Sequence, residues 1–166
     1  MIFEFGKTWG TVPYLINFIP RGNQTYANFK RSYNMMNFLE FNTDQFVAFN
    51  MEHFSYGYLL NRIPLLKRLK LREVVSLKVL YGSLADKSNP NLNPELLQFV
   101  RDDLNRATTY TLDGIPYVEA SFGLTNIFKI FRVDLIQRFT HLDKPRIPTL
   151  FGRKGMGIRF NFHVEF

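Results

Sequence analysis

From Ile158 to Phe166 the chain alternates without interruption: Ile158, Phe160, Phe162, Val164 and Phe166 fall on one face, and Arg159, Asn161, His163 and Glu165 on the other. A period of two belongs to a strand with one apolar and one polar side. The pattern recurs upstream. In Leu71–Gly82, Val75, Leu77, Val79 and Tyr81 oppose Ser76 and Lys78. In Pro116–Leu124, Val118, Ala120, Phe122 and Leu124 oppose Tyr117, Glu119, Ser121 and Gly123. In Phe131–Phe139, Phe131, Val133 and Leu135 oppose Arg132, Asp134 and Arg138. Gln45–Tyr58 sets Val47, Phe49 and Met51 against Ala48, Asn50 and Glu52. Tyr33–Asn42 sets Met35, Leu39 and Phe41 against Asn34, Glu40 and Asn42, with Asn37 and Phe38 out of step, and a weaker strand is predicted from Ile2 to about Val12.

Breaker residues mark the connections. Residues 13–31 hold Pro13, Pro20, Gly22 and Asn23; Thr43-Asp44 is placed as a tight hairpin turn; Asn61–Lys70 is a proline- and base-containing link. Residues 83–114 open with Asp86-Lys87-Ser88-Asn89-Pro90-Asn91 and leave room for a short helix between Pro94 and Leu104, with Pro94 in its first turn. A brief turn is placed at Thr125-Asn126, and residues 140–156 are irregular. The sum is an all-β, antiparallel chain of about seven strands, with long and short connections alternating over the last four. If the C-terminus faces a periplasm, residues 83–114 and 141–156 face outside, and residues 13–31 and 59–70 face the periplasm on the same parity.

Alternation alone also suits a soluble sandwich or a lipocalin-like barrel. Composition tilts the choice. Aromatics make up 16% of residues, with 18 Phe, 8 Tyr and a single Trp, yet mean hydropathy is only −0.14. Aromatics diluted by polar residues are what lipid-facing strands around a wet interior need, and Tyr56, Tyr58, Tyr81, Tyr117, Phe139 and Phe151 near strand ends fit interfacial girdles. With Cys absent, disulfides and thiolate metal sites are excluded. No apolar run is long enough for a helical span. The expected fold is therefore a transmembrane antiparallel β-barrel in which residues 158–166 form the closing strand, with Ile158, Phe160, Phe162, Val164 and Phe166 toward lipid. Seven strands are too few to close such a barrel, and Met1–Gly6 lacks the features of an export signal. Residues 1–166 are accordingly expected to be the C-terminal part of one barrel domain, with upstream strands and any N-terminal domain lying outside this sequence.

The candidate chemistry is modest. Glu119, Arg132, Asp134, Arg138, Arg159 and Glu165 share the wet parity of the last strands and are expected to form a lumenal charge network paired across neighbouring strands, bracing the wall. His53, His141 and His163 are isolated, and no metal-binding spacing links them. Ser121 lies in no nucleophile elbow, and Gly6 and Gly10 are too sparse for a phosphate cradle. No catalytic, cofactor-binding or metal site is assigned, no cofactor is expected, and the chain is not expected to be an enzyme. Net charge is +7. The densest basic cluster, Lys67-Arg68-Lys70-Arg72 after Pro64-Leu65-Leu66, suits an anionic membrane surface with snorkelling side chains. The alternative is a soluble basic β-domain that binds an anionic partner such as nucleic acid.

Taken together, Asn34-Met-Met-Asn-Phe-Leu-Glu40-Phe, Asn61-Arg-Ile-Pro-Leu-Leu-Lys67, Leu71-Arg-Glu-Val-Val75, Tyr117-Val-Glu-Ala-Ser121, Asn126-Ile-Phe-Lys129 and Arg132-Val-Asp134 resemble the C-terminal barrel of a family of large Bacteroidota outer-membrane proteins of unknown function. Members of that family carry a carboxypeptidase-regulatory-like β-sandwich ahead of the barrel. Gly123 through Asp134, followed by Gly155-Met-Gly157 and a terminal Phe, is distantly similar to the last strands of the surface-antigen superfamily, which includes outer-membrane assembly factors and two-partner secretion pores. The resemblance implies a bacterial outer-membrane location, lipid and the upstream barrel strands as partners, and a structural, transport or assembly and secretion role. It implies no peptidase and transfers no catalytic residue.

Overall fold

The computed structural model describes residues 1–58 and 60–162. Among the described residues eight strands follow one another: β1 (Ile2–Lys7), β2 (Gln45–Phe54), β3 (Arg72–Ser83), β4 (Tyr117–Ile127), β5 (Phe131–Arg138), β6 (Thr149–Leu150), β7 (Arg153–Lys154) and β8 (Met156–Phe162). Six of them form one sheet in the order β1-β2-β3-β4-β5-β8, while β6 and β7 make a separate two-stranded ribbon. All neighbours in the main sheet are antiparallel. The sheet is open, with β1 and β8 at its edges. His163, Val164, Glu165 and Phe166, named above for the closing strand, lie outside the described residues.

The sheet is inverted relative to a soluble β-protein. Rows of apolar side chains run across its outer face in register, as Val75, Phe122, Leu135 and Ile158 do from β3 to β8. Val75 is 40%, Phe122 45% and Leu135 40% accessible, and Ile158 is half-buried. On the opposite face Glu119, Asp134 and Arg138 are no more than 2% accessible. What covers that polar face is the segment between β1 and β2, residues 8–44, together with parts of residues 84–116.

Here the structure corrects the sequence reading. Tyr33–Asn42 is no strand; it is a chain of turns laid across the wet face, with Leu39 at φ 57°. It packs into a small core, where Met36 and Phe41 meet Ala48, Leu80, Leu112 and Tyr117, and both faces of its apparent alternation are largely buried. Phe41 and Tyr33 abut the Tyr117 ring at 6.0 and 5.3 Å, and Phe18 stacks on Phe46 at 3.5 Å. Thr43-Asp44 makes no hairpin, because the segment before it contributes only an isolated bridge between Phe18 and Thr43. No helix forms between Pro94 and Leu104; the α-helical residues are Pro64–Lys67. The turn placed at Thr125-Asn126 is instead an irregularity within β4, and the chain reverses at residues 128–130, where Phe128 and Lys129 take positive φ.

Losing one strand also changes the ends at which connections lie. Asn42 N–H donates to Tyr110 O (3.0 Å), Tyr110 N–H to Glu40 O (2.8 Å), and Ala85 N–H to Asp44 Oδ2 (3.0 Å). Residues 8–44 therefore sit with the long connections 84–116 and 139–155 at one end of the sheet, and not with residues 59–70 as the strand parity suggested. The short β4–β5 turn and residues 55–71 share the other end, where Asn126 Nδ2 donates to Lys70 O at 2.7 Å. Residues 8–44 also reach the outer edge of β8: Asn28 N–H donates to Phe160 O (2.7 Å) and Phe160 N–H to Tyr26 O (2.8 Å), forming a parallel bridge between Ala27 and Phe160.

Candidate functional site

The buried polar face is organised around the main chain of residues 28–35. Glu119, near the start of β4, accepts the N–H groups of Asn34 (2.9 Å) and Met35 (3.0 Å) on its two carboxylate oxygens and also takes the Tyr117 hydroxyl (2.9 Å). Lys78, opposite Glu119 in the β3–β4 register, lies 3.5 Å from that carboxylate and donates to the carbonyls of Phe29 (3.1 Å) and Ser32. From β8, Arg159 Nη2 donates to Asn34 O (2.7 Å), and from β5, Arg138 Nη1 donates to Met35 O (3.2 Å). Four charged side chains on four strands thus hold one loop by its backbone. Charge-assisted bonds of this kind are worth more than neutral ones, and burial spares them from solvent.

Asn34 is the keystone on the loop side. Its Oδ1 accepts Asn23 Nδ2 (2.7 Å) and the Phe29 N–H (3.1 Å), and its Nδ2 donates to Asn28 Oδ1 (3.0 Å) and Phe29 O (3.3 Å). Three further ion pairs flank it. Arg138 Nη2 donates to Glu40 Oε1 at 2.6 Å, with the guanidinium 4.9 Å above the Tyr117 ring and bonded to the carbonyls of Thr140 and His141. Arg132 grips Asp134 with two bonds of 2.7 and 2.8 Å and reaches Glu52 on β2 at 2.6 Å, while Asn28 Nδ2 donates to Asp134 Oδ2 at 2.6 Å. Gly123, opposite Asp134 in register, makes the room: a Cβ there would lie 2.2 Å from Asp134 Oδ1. Beside it, Ser76 and Ser121 hydroxyls meet at 2.5 Å.

Glu119, Arg132, Asp134, Arg138 and Arg159 are thus on one buried face, although the pairing differs from a ladder of cross-strand pairs. Arg132 pairs with Asp134 and Glu52, Glu119 keeps Lys78 as a cross-strand partner at 3.5 Å while accepting two amides of the inserted loop, and Arg159 donates to the loop carbonyl of Asn34. Glu165 lies outside the described residues. Ile158, Phe160 and Phe162 lie on the opposite, apolar face in register with Leu135, Val133 and Phe131. Lys78, Glu40, Glu52 and Asn34 belong to the network but carried no assignment from the sequence. For Lys78 the signal existed, since its parity matches Ser76 and its sign opposes Glu119. Asn34 and Glu40 gave none, because the partners that tie them to the sheet, Glu119 and Arg138, are more than eighty residues away.

Two groups outside the main sheet feel this interior. Burial, seconded by the Glu119 and Glu4 carboxylates, holds the Tyr33 phenol above its ordinary range. His141, packed edge-on to Phe41 at 4.9 Å, is pushed below its ordinary value by burial, against the opposing effect of its bond to Ile115 O (3.0 Å). Among the described residues no group of three or more His, Asp or Glu is placed to hold a metal ion.

Residues 19–87 match the C-terminal domain of a family of unknown function (DUF5686). That stretch, less than half of the chain, contains the gripped loop, β2 and β3. No curated protein and no solved structure matches.

Proposed function

We propose that this chain forms part of the wall of a bacterial outer-membrane β-barrel, completed by strands beyond the six described, with a structural, transport or assembly and secretion role rather than an enzymatic one. The observation that carries the reading is the inversion of the sheet. Charged side chains lie buried beneath a loop of the same chain, while rows of Val, Leu, Ile and Phe stand exposed or half-exposed on the other face. A soluble monomer rarely leaves so continuous an apolar surface uncovered, whereas lipid-facing strands require one. The unclosed sheet fits the same reading, because a sheet in hydrocarbon must close.

The gripped loop narrows the role. Residues 28–35 occupy the wet face through main-chain bonds to Lys78, Glu119, Arg138 and Arg159. At rest, this part of the interior holds protein instead of a column of water, which favours a plugged or scaffolding barrel over an open diffusion pore. The test is extraction of the natural full-length protein. It should remain with membranes through a high-pH wash, require detergent, and migrate faster on a gel unheated than boiled. Recovery as a detergent-free monomer that binds nucleic acid in a salt-dependent way would instead establish the soluble basic β-domain.

A further inference from the structure

At the end of the sheet opposite the long connections, two short pieces of chain stand side by side. One is the β2–β3 connection, residues 55–71; the other is the β4–β5 turn, residues 128–130, joined to it through Asn126 and Lys70. Between them they expose Arg62, Lys67, Arg68, Lys70 and Lys129, interleaved with Tyr56, Tyr58, Ile63, Leu69 and Phe128. Phe128, at 86% accessible, is among the most exposed large apolar side chains. Residues 55–72 and 126–131 contain no Asp or Glu. The acid next to them in sequence, Glu73, is buried and accepts the Leu60 N–H at 2.5 Å. The other end is different: Asp86, Asp102, Asp113 and Asp143 are interspersed there with Lys87, Arg106 and Lys144. The guanidinium of Arg62 lies 4.5 Å from the Tyr58 ring and that of Arg72 5.6 Å from the Tyr56 ring. Stacked cations beside amphipathic rings match the chemistry of a lipid interface, where rings sit at headgroup depth and ammonium or guanidinium groups meet phosphate.

We infer that this rim is a binding surface for the phosphate groups of anionic phospholipids in the leaflet that it faces. The inference rests on the membrane reading above and adds to it a lipid class and an end of the sheet. Charge is the deciding argument: a rim whose exposed charges are all basic, with the buried Glu73 as its adjacent acid, repels itself until anions approach, and each Lys or Arg near an anionic surface adds to the attraction. Exposed aromatic and aliphatic side chains between the cations suit a bilayer better than a nucleic acid, which would leave Phe128, Ile63 and Leu69 in water.

The test uses the natural full-length protein in a non-ionic detergent, offered phosphatidylglycerol or phosphatidylcholine, with bound lipid counted by native mass spectrometry. The wild type should retain phosphatidylglycerol preferentially. The combined substitutions Lys67→Glu, Arg68→Glu, Lys70→Glu and Lys129→Glu should weaken that retention at least about tenfold, whereas Arg153→Glu with Lys154→Glu at the other end should leave it unchanged. Heat-modifiable migration checks folding for each variant; should the reversed variant fail that check, the same four positions changed to Gln carry the comparison. Equal retention of both lipids by the wild type, undiminished retention by the rim variant, or tighter capture of a single-stranded oligonucleotide than of phosphatidylglycerol overturns the inference while a heat-modifiable barrel still stands. Recovery of the wild type as a detergent-free monomer overturns both.

Discussion

Replacing Glu119 by Gln keeps the shape of the side chain and removes its charge, so it asks how firmly the loop is held. The carboxylate, 2% accessible in its side chain, has four partners: the amides of Asn34 and Met35, the Tyr117 hydroxyl and, at 3.5 Å, Lys78. A glutamine offers one oxygen. In either orientation of the amide, a backbone N–H of residue 34 or 35 faces an NH2 group and loses its acceptor, at about 1–3 kcal/mol. The surviving amide bond becomes a neutral one, about 1 kcal/mol weaker. Lys78 keeps its two carbonyl acceptors but loses its counter-charge in a buried site. The total is about 3–5 kcal/mol, the range for breaking a buried pair on one side. The loss should be local, because the strands keep their own ladders. Hydrogen exchange on the full-length protein in detergent should show protection at the Asn34 and Met35 amides falling by about two to three and a half decades, with the β3–β4 amides little changed. Unaltered protection at residues 34 and 35 would refute the idea that the loop is fastened by its main chain.

Gly123→Ala should destabilise by about 2–4 kcal/mol in denaturant unfolding, because the added Cβ would sit 2.2 Å from Asp134 Oδ1 and must break the Arg132–Asp134 pair to fit; a neutral result would mean that Asp134 has another position available. Phe122→Arg, in the middle of β4 on the apolar face, should cost about 2–4 kcal/mol when the protein unfolds from a bilayer, and the same change at Phe162, near the end of β8, should cost less; equal costs near zero would place that face in water. For His141 the sign follows from its depressed folded-state value: the folded protein holds fewer protons there than the unfolded chain. Its contribution is complete above the ordinary value of 6.5 and declines as pH falls below it toward the lowered value. Stability should therefore fall on mild acidification, and His141→Phe should flatten that part of the profile in unfolding titrations from pH 7.5 to 5.

Strands β2 to β5 were legible because each satisfies its own rule: Val, Ile, Phe and Leu at every second position, breakers beyond, and a wet face of one parity. The same rule misread Tyr33–Asn42. Its residues do alternate, but their backbone groups are satisfied by Glu119, Arg138 and Arg159, and no window of local sequence contains those partners. The placement of residues 13–31 at the wrong end followed from that one surplus strand, since each strand reverses the direction of the chain. In the site, parity alone groups Glu119, Arg132, Asp134, Arg138 and Arg159. Who bonds to whom depends on the inserted loop, which competes with the cross-strand partner for Glu119, Arg138 and Arg159. Arg138, for instance, stands opposite Glu119 in register but pairs with Glu40 from the loop.

The bridge between Ala27 and Phe160 makes β8 an edge with a tenant. Both main-chain groups of Phe160 are already engaged, with Tyr26 and Asn28. A neighbouring strand can run the length of β8 only by evicting residues 26–28, and it would give back the two hydrogen bonds that it takes. Because the exchange is close to balanced in bonds, its direction is left to side-chain packing along the rest of the seam. A stray edge strand that supplies backbone groups but no matching side chains has little with which to win that contest, so the loop screens candidates for the position without sealing it.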